Sequence, residues 1–201
     1  MTVHNPYAPP STAVRKVVSA GAPPFFIVSP TKLVVLYVAT LGMYPLYWFY
    51  MHWARHRVGR AETIWPLARA VFAPFYVHAL ARRIDRQLRT TGAARRGWPL
   101  TIASLYVVFE ALNWGSALAW PWLSPRLPAG AWWLEWLGVL VMPLSCACLV
   151  RLQRAANAAC GDPRADTNRR FTVFNLAWIV FGITAFGWAA YGAGLVGPPP
   201  G

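Results

Sequence analysis

Residues 33–53 form a run of 21 residues without one formal charge, and such a run can be buried only if its backbone pairs with itself. As a helix rising 1.5 Å per residue it is about 32 Å long, enough to cross a hydrocarbon layer of about 30 Å. Three comparable runs follow: residues 99–122 with Glu110 as their single acid, residues 131–150, and residues 171–196 without a formal charge. Composition agrees: 57% of the chain is hydrophobic and 12% is charged, and the charged share is about half that of soluble domains. That balance excludes a disordered chain and leaves too little polar surface to cover an ordinary soluble domain.

The expected fold is therefore an all-α integral membrane protein. It is a bundle of four transmembrane helices (about 33–53, 99–122, 131–150 and 171–196) plus an interfacial or re-entrant helical segment at 64–81. Arg69, Pro66 and Pro74 interrupt that segment, and an arginine near the bilayer centre costs about 2.5–3.5 kcal/mol even on lenient scales. Were 64–81 to cross, the alternative would be five spans. Residues 1–29, rich in proline, read as a flexible tail, 30–196 as a single membrane domain and 197–201 as a second tail. Ser29-Pro30 has the form of an N-cap followed by proline at the first helical position. Gly42 and Pro45 predict a kink in the first span, whose aromatic end (Tyr44, Tyr47, Trp48, Phe49, Tyr50, Trp53) suits a membrane interface. The first apolar run begins only at Leu33, which reads as a retained anchor rather than a cleaved signal.

The net charge of +13 would suggest nucleic acid in a soluble protein. Here the basic residues lie in short segments between apolar runs, which excludes that partner and points to cytoplasmic loops. With four spans, 15 of the 19 Lys and Arg fall on one side, and Arg15, Lys16, Lys32 and Arg126 fall on the other. Five spans separate the charges almost as well. Both arrangements put 82–98 and 151–170 in the cytoplasm and the C-terminus outside, and they differ in the side of residue 1.

Phe25-Phe26-Ile27-Val28-Ser29, Lys32-Leu33, Thr40 to Tyr44, Tyr47 to Tyr50 and Trp53 resemble a group of bacterial multi-pass inner-membrane proteins without an assigned activity. Pro66, Arg69 to Phe72 and Phe75 extend the resemblance, as do Gln153, Asn157, Gly161-Asp162-Pro163, Asn168, Phe171-Thr172 and Asn175. The resemblance implies a multi-pass protein of the bacterial inner (cytoplasmic) membrane and brings no chemistry with it.

Glu110 is the residue most suggestive of chemistry, because an ionisable group inside a span is a functional candidate by default. Tyr106 and Asn113 share its helical face at i−4 and i+3. The face is expected to look into the bundle, either as a proton or cation site or as hydrogen-bonded glue between helices. Arg69 is its natural partner if 64–81 dips into the membrane; otherwise it snorkels to headgroups. Arg82, Arg83, Arg86, Arg89, Arg95 and Arg96 form a candidate anionic-lipid contact. His52 and His56 have metal-ligand spacing, but the run between them lacks the glutamate of H-E-x-x-H and carries Arg55 instead. Cys146, Cys148 and Cys160 match no zinc spacing. Glu135 reads as an interface residue, and Asn157, Asp162, Asn168 and Asn175 as caps and turns before the last span.

With no phosphate loop, nucleophile elbow or triad spacing, no cofactor or metal is expected. The leading expectation is a non-enzymatic membrane protein acting through lipid or protein contacts, its partners anionic headgroups and a second copy or another membrane protein. The alternative is a small proton- or cation-coupled transporter using Glu110.

Overall fold

The computed structural model describes residues 23–60, 63–91, 98–128, 131, 134 and 136–192. Among these the regular structure is entirely helical. Its helices are α1 (Pro30–Ala39), α2 (Tyr44–Arg60), α3 (Pro66–Val71), α4 (Ala73–Thr90), α5 (Pro99–Leu123), α6 (Leu137–Ala159) and α7 (Val173–Gly192).

α1 starts where its cap was expected. The Ser29 hydroxyl accepts from the Lys32 amide at 3.2 Å, and Pro30 opens the helix. The uncharged run 33–53 is then broken, not merely kinked. Leu41 (φ 48°) and Gly42 (φ 81°) take left-handed backbone, and the chain reverses between Thr40 and Met43. Thr40 serves both helices: its hydroxyl donates to Leu36 O at 2.8 Å, closing α1, and accepts from the Tyr44 amide at 2.9 Å, opening α2. Ten residues of α1 rise only about 15 Å, half a hydrocarbon layer. The first of the four expected spans is therefore two short helices in a hairpin.

Contacts along α6 fix the hairpin's direction. Asn157 bonds Val28 before α1, and Met142 touches the turn at Gly42, 3.3 Å from where a Cβ would sit. α2 then returns, with Trp48 and His52 against Gln153 and the His56 ring stacked on Phe25. Phe25 O in turn lies 3.8 Å from Cys160 Sγ. Both ends of the hairpin thus sit at the Gln153–Cys160 end of α6, with the tip towards Met142.

Two helices, the segment Pro99–Arg126 built on α5 and α6 itself, are long and apolar enough to cross a membrane. A core helix of a soluble protein would pass the same test, but only 11% of the most apolar window of α5 is buried, against 50% for α6. Leu112, Trp114, Leu118 and Trp122 on α5, with Phe181, Ile183, Phe186 and Trp188 on α7, leave broad apolar faces uncovered. α6 begins later and ends later than residues 131–150, so Arg151 and Arg154 lie on its last turns rather than in a loop.

α4 likewise absorbs much of the expected basic loop after residue 81. It buries Val77, Leu80, Ala81, Ile84 and Leu88 at helical spacing and turns Arg82, Arg86 and Arg89 outward. The reading of residues 1–29 as a tail fails at its end. Phe25, Phe26, Ile27 and Val28 are buried outside any helix and belong to the core with Trp48, Trp53, Leu80 and Leu152. Residues 1–22 and 197–201, and with them the rest of both expected tails, lie outside the described residues.

Candidate functional site

A non-helical segment in a helical core has no ladder to satisfy its backbone, so side chains must do it. Successive carbonyls of residues 25–28 are met in turn by the α6 end and the loop after it. Cys160 Sγ approaches Phe25 O at 3.8 Å, Gln153 Nε2 donates to Phe26 O at 2.9 Å, Asn168 Nδ2 to Ile27 O at 2.8 Å and Asn157 Nδ2 to Val28 O at 3.0 Å. Gln153 is the hub. Its Nε2 also donates to Asn157 Oδ1 at 2.6 Å, while its Oε1 accepts from Trp48 Nε1 at 2.5 Å and lies 3.1 Å from His52 Nε2. The two widely separated stretches that carry the family resemblance therefore meet in space.

The loop 160–172 holds its shape by the turn chemistry expected of Asp162. The Asp162 carboxylate accepts from the Asp166 amide at 2.9 Å, the Thr167 amide at 3.1 Å and the Thr167 hydroxyl at 2.8 Å. Burial pushes its pKa up, but the hydrogen bonds together outweigh that and hold it below the usual carboxylate range. Asn175 Oδ1 caps the start of α7 by accepting from Thr172. Asn157 and Asn168, expected in similar roles, instead reach back to the buried segment before α1.

His52 is fully buried. Burial, helped by the neighbouring His56 and opposed by the Gln153 bond, pushes its pKa down to about 3. An unfolded histidine titrates near 6.5, so above that pH both states are neutral and full stability is present. Below it the unfolded state binds the proton first. We expect about 2 kcal/mol to be lost between pH 6.5 and pH 5. Thermal unfolding across that window should show it, with a shallower slope in His52→Asn; parallel slopes in the two proteins would contradict the assignment. Neither histidine is arranged for a metal: His52 faces Gln153, and His56 stacks on Phe25 with centroids 5.7 Å apart. Among the described residues no group of three His, Cys, Asp or Glu could hold one.

Glu110 and Tyr106 are buried on α5, as the shared helical face predicts. Trp114 Nε1 donates to Glu110 Oε2 at 3.1 Å from one turn on, and Tyr106 packs on Phe49 with ring centroids 5.8 Å apart. Asn113 does not join them; its Oδ1 lies 2.6 Å from where a Cβ on Gly138 of α6 would sit. Arg69 is elsewhere as well. Its guanidinium stands 4.4 Å from the Trp53 ring centre and 5.1 Å from that of Tyr76, and Arg83 stands 5.1 Å from Trp53. The expected Arg69–Glu110 pair is absent because aromatic faces on α2 and α4 hold the arginine.

The basic residues after Ala81 divide by role. Arg83 is held at Trp53, and Arg89 Nη2 pairs with Asp85 at 2.8 Å. Arg82 and Arg86 are exposed one turn apart on the outer face of α4. Arg95 and Arg96, like Glu135, lie outside the described residues.

Several clefts open on the surface among the described residues, three of them on the faces of α1, α2 and α6. One of about 430 Å³ lies between Leu88, Trp98 and Pro99 and the Arg151–Arg154 turn of α6. Another, of about 640 Å³, runs from Phe26 and Lys32 to Tyr47, Arg55 and Asn175. A third, of about 560 Å³, is an apolar groove between α1 and α6 at Val38, Leu41, Val139 and Met142. None of the three is lined by Glu110.

The sequence alone assigns no role to Gln153 and does not bring Asn168 and Phe171 to Lys32. The Gln153–Asn157 pair, at i and i+4 in an apolar helix, was the available signal. Comparison of the chain with family models, curated proteins and solved structures finds no match to any of them.

Proposed function

We propose that this is a multi-pass protein of a bacterial inner membrane that acts through contacts, holding anionic lipid against a basic cytoplasmic face, without catalysing a reaction. α5, α6 and α7 cross in this reading, while the α1–α2 hairpin enters and returns on the cytoplasmic side. Three crossings with a re-entrant hairpin take the place of four.

The observation that carries the reading is where the charges gather. Both ends of the hairpin, the Leu88 end of α4 and the loop 160–172 all lie at the Gln153–Cys160 end of α6. With that topology, 18 of the 19 Lys and Arg fall on one side and Arg126 alone on the other, a sharper partition than four or five spans give. The uncovered faces of α5 and α7 supply the apolar surface that lipid tails require. The transporter reading gains less support. Glu110 is engaged by Trp114 on its own helix, away from the clefts described above.

Nanodiscs of phosphatidylglycerol and of phosphatidylcholine provide the test. The full chain should unfold at higher temperature in the anionic lipid. Arg82→Gln with Arg86→Gln should remove about 2 kcal/mol of that advantage, at about 1 kcal/mol per surface charge. Equal stability in the two lipids, or an advantage untouched by the double substitution, would defeat the proposal.

A further inference from the structure

Lys32 is a buried cation, and among the described residues no carboxylate pairs with it. It is 3% exposed, and its ammonium donates to two neutral acceptors, Asn168 Oδ1 at 2.7 Å and Arg170 O at 2.8 Å, with the Phe171 ring centre 6.0 Å away. Burying an unpaired ammonium is expensive, by several kcal/mol even after relaxation, and two neutral oxygens return only part of that. Three N–H bonds against two acceptors also leave one donor to be satisfied.

Lys32 lines a cleft of about 480 Å³ together with Ser29, Thr31, Arg164, Arg169 and Phe171, and it also borders the cleft of about 640 Å³ that Asp162 lines. Three basic residues therefore line the smaller space, and among the described residues no carboxylate lines it. Asp162 and Asp166 each lie two residues from Arg164; the Asp162 carboxylate is committed to the Asp166 and Thr167 amides, and neither acid lines the smaller cleft. The space also lies at the start of α1, a ten-residue helix whose dipole adds positive potential there. The Asp162 turn and the Asn168 bond to Ile27 fix the loop that carries both arginines.

We infer that this cleft binds a phosphate-bearing anion, with Lys32 as the buried counter-charge and Arg164 and Arg169 as the outer clamp. Guanidinium groups match phosphate oxygens in pairs, and a lysine beneath supplies a point charge. The volume falls in the range of small-molecule sites. The same chemistry describes a lipid headgroup and a free phosphate. The site is separate from the α4 face and does not depend on lipid binding there.

Purified full chain in a zwitterionic detergent would be titrated with inorganic phosphate and, separately, with dihexanoyl-phosphatidylglycerol. Arg164→Gln with Arg169→Gln is the diagnostic variant, because both side chains are exposed and the core is left intact. Arg82→Gln with Arg86→Gln is the control. We expect saturable binding of at least one probe, weakened about tenfold or more by the diagnostic pair and unchanged in the control. Binding of the lipid alone identifies a headgroup site, binding of inorganic phosphate alone a free anion, and binding of both the phosphate group itself. Saturation by neither probe, or equal affinity in the diagnostic variant and the native chain, would overturn the inference. Loss in the α4 control with the diagnostic pair unaffected would overturn it too, while leaving the lipid-face proposal standing.

Discussion

Replacing Gln153 with Leu is expected to destabilise the protein by about 3–6 kcal/mol, because one side chain satisfies several buried groups at once and each orphaned group costs about 1–3 kcal/mol. Its loss leaves Phe26 O, Trp48 Nε1 and the facing nitrogen of His52 without that partner in a core closed to water. Leucine matches the volume closely, so the cost comes from unsatisfied polar groups and not from a cavity. Gln153→Glu separates the two causes further. It keeps the acceptor for Trp48 but turns an oxygen towards Phe26 O and Asn157 Oδ1, where the native amide donates. Both variants should lower the thermal midpoint well below that of an exposed-face control such as Arg86→Gln. A Leu variant as stable as the control would mean that water reaches these groups and that the segment at 25–28 is not held as described.

Helices were legible in this chain wherever length and charge carried the signal. The long apolar stretches around α5, α6 and α7 predicted those elements, and the i−4 spacing of Tyr106 and Glu110 placed both on the buried face. What stayed hidden had other causes. Hydropathy treats residues 33–53 as one run, since Thr40, Leu41 and Gly42 are as uncharged as their neighbours. The break depends on a hydroxyl that serves two helix ends and on left-handed backbone at Leu41, neither of which changes polarity.

Prolines on the N-terminal side of Phe25 made the first 29 residues look like tail, although Phe25 to Val28 are four apolar residues in succession. A non-helical segment inside a helical core is stable only because amide side chains more than 120 residues away reach its carbonyls. Periodicity along one helix cannot reveal such a partner. Arg69 shows the same limit from the other direction. Charge alone pairs it with Glu110, whereas the fold offers it the Trp53 and Tyr76 rings, which hold a cation without the burial of a second ion.

Gly182 carries the second large effect, and nothing in the uniformly apolar sequence of α7 distinguishes it from the other glycines there. A Cβ at that position would lie 2.0 Å from Ala39 O, 2.7 Å from Thr40 Cα and 2.8 Å from Ala39 C. These are backbone atoms at the end of α1, so no rotamer change can relieve the overlap, and the two helices must move apart by more than 1 Å. Overpacking of this kind costs about 1–3 kcal/mol in ordinary cores and more where the obstacle is backbone. We expect Gly182→Ala to reach about 3 kcal/mol or more, and to loosen the turn at Thr40 that joins α1 to α2. Gly187, on the same helix, meets nothing within 4 Å. There the alanine substitution should be neutral or stabilising by about 0.5–1 kcal/mol, through helix propensity alone. Paired thermal unfolding of the two variants therefore cancels any general effect of alanine in α7. Matching midpoints for the two would show that α7 does not dock on the tip of the hairpin, and would remove that helix from its contact with α1.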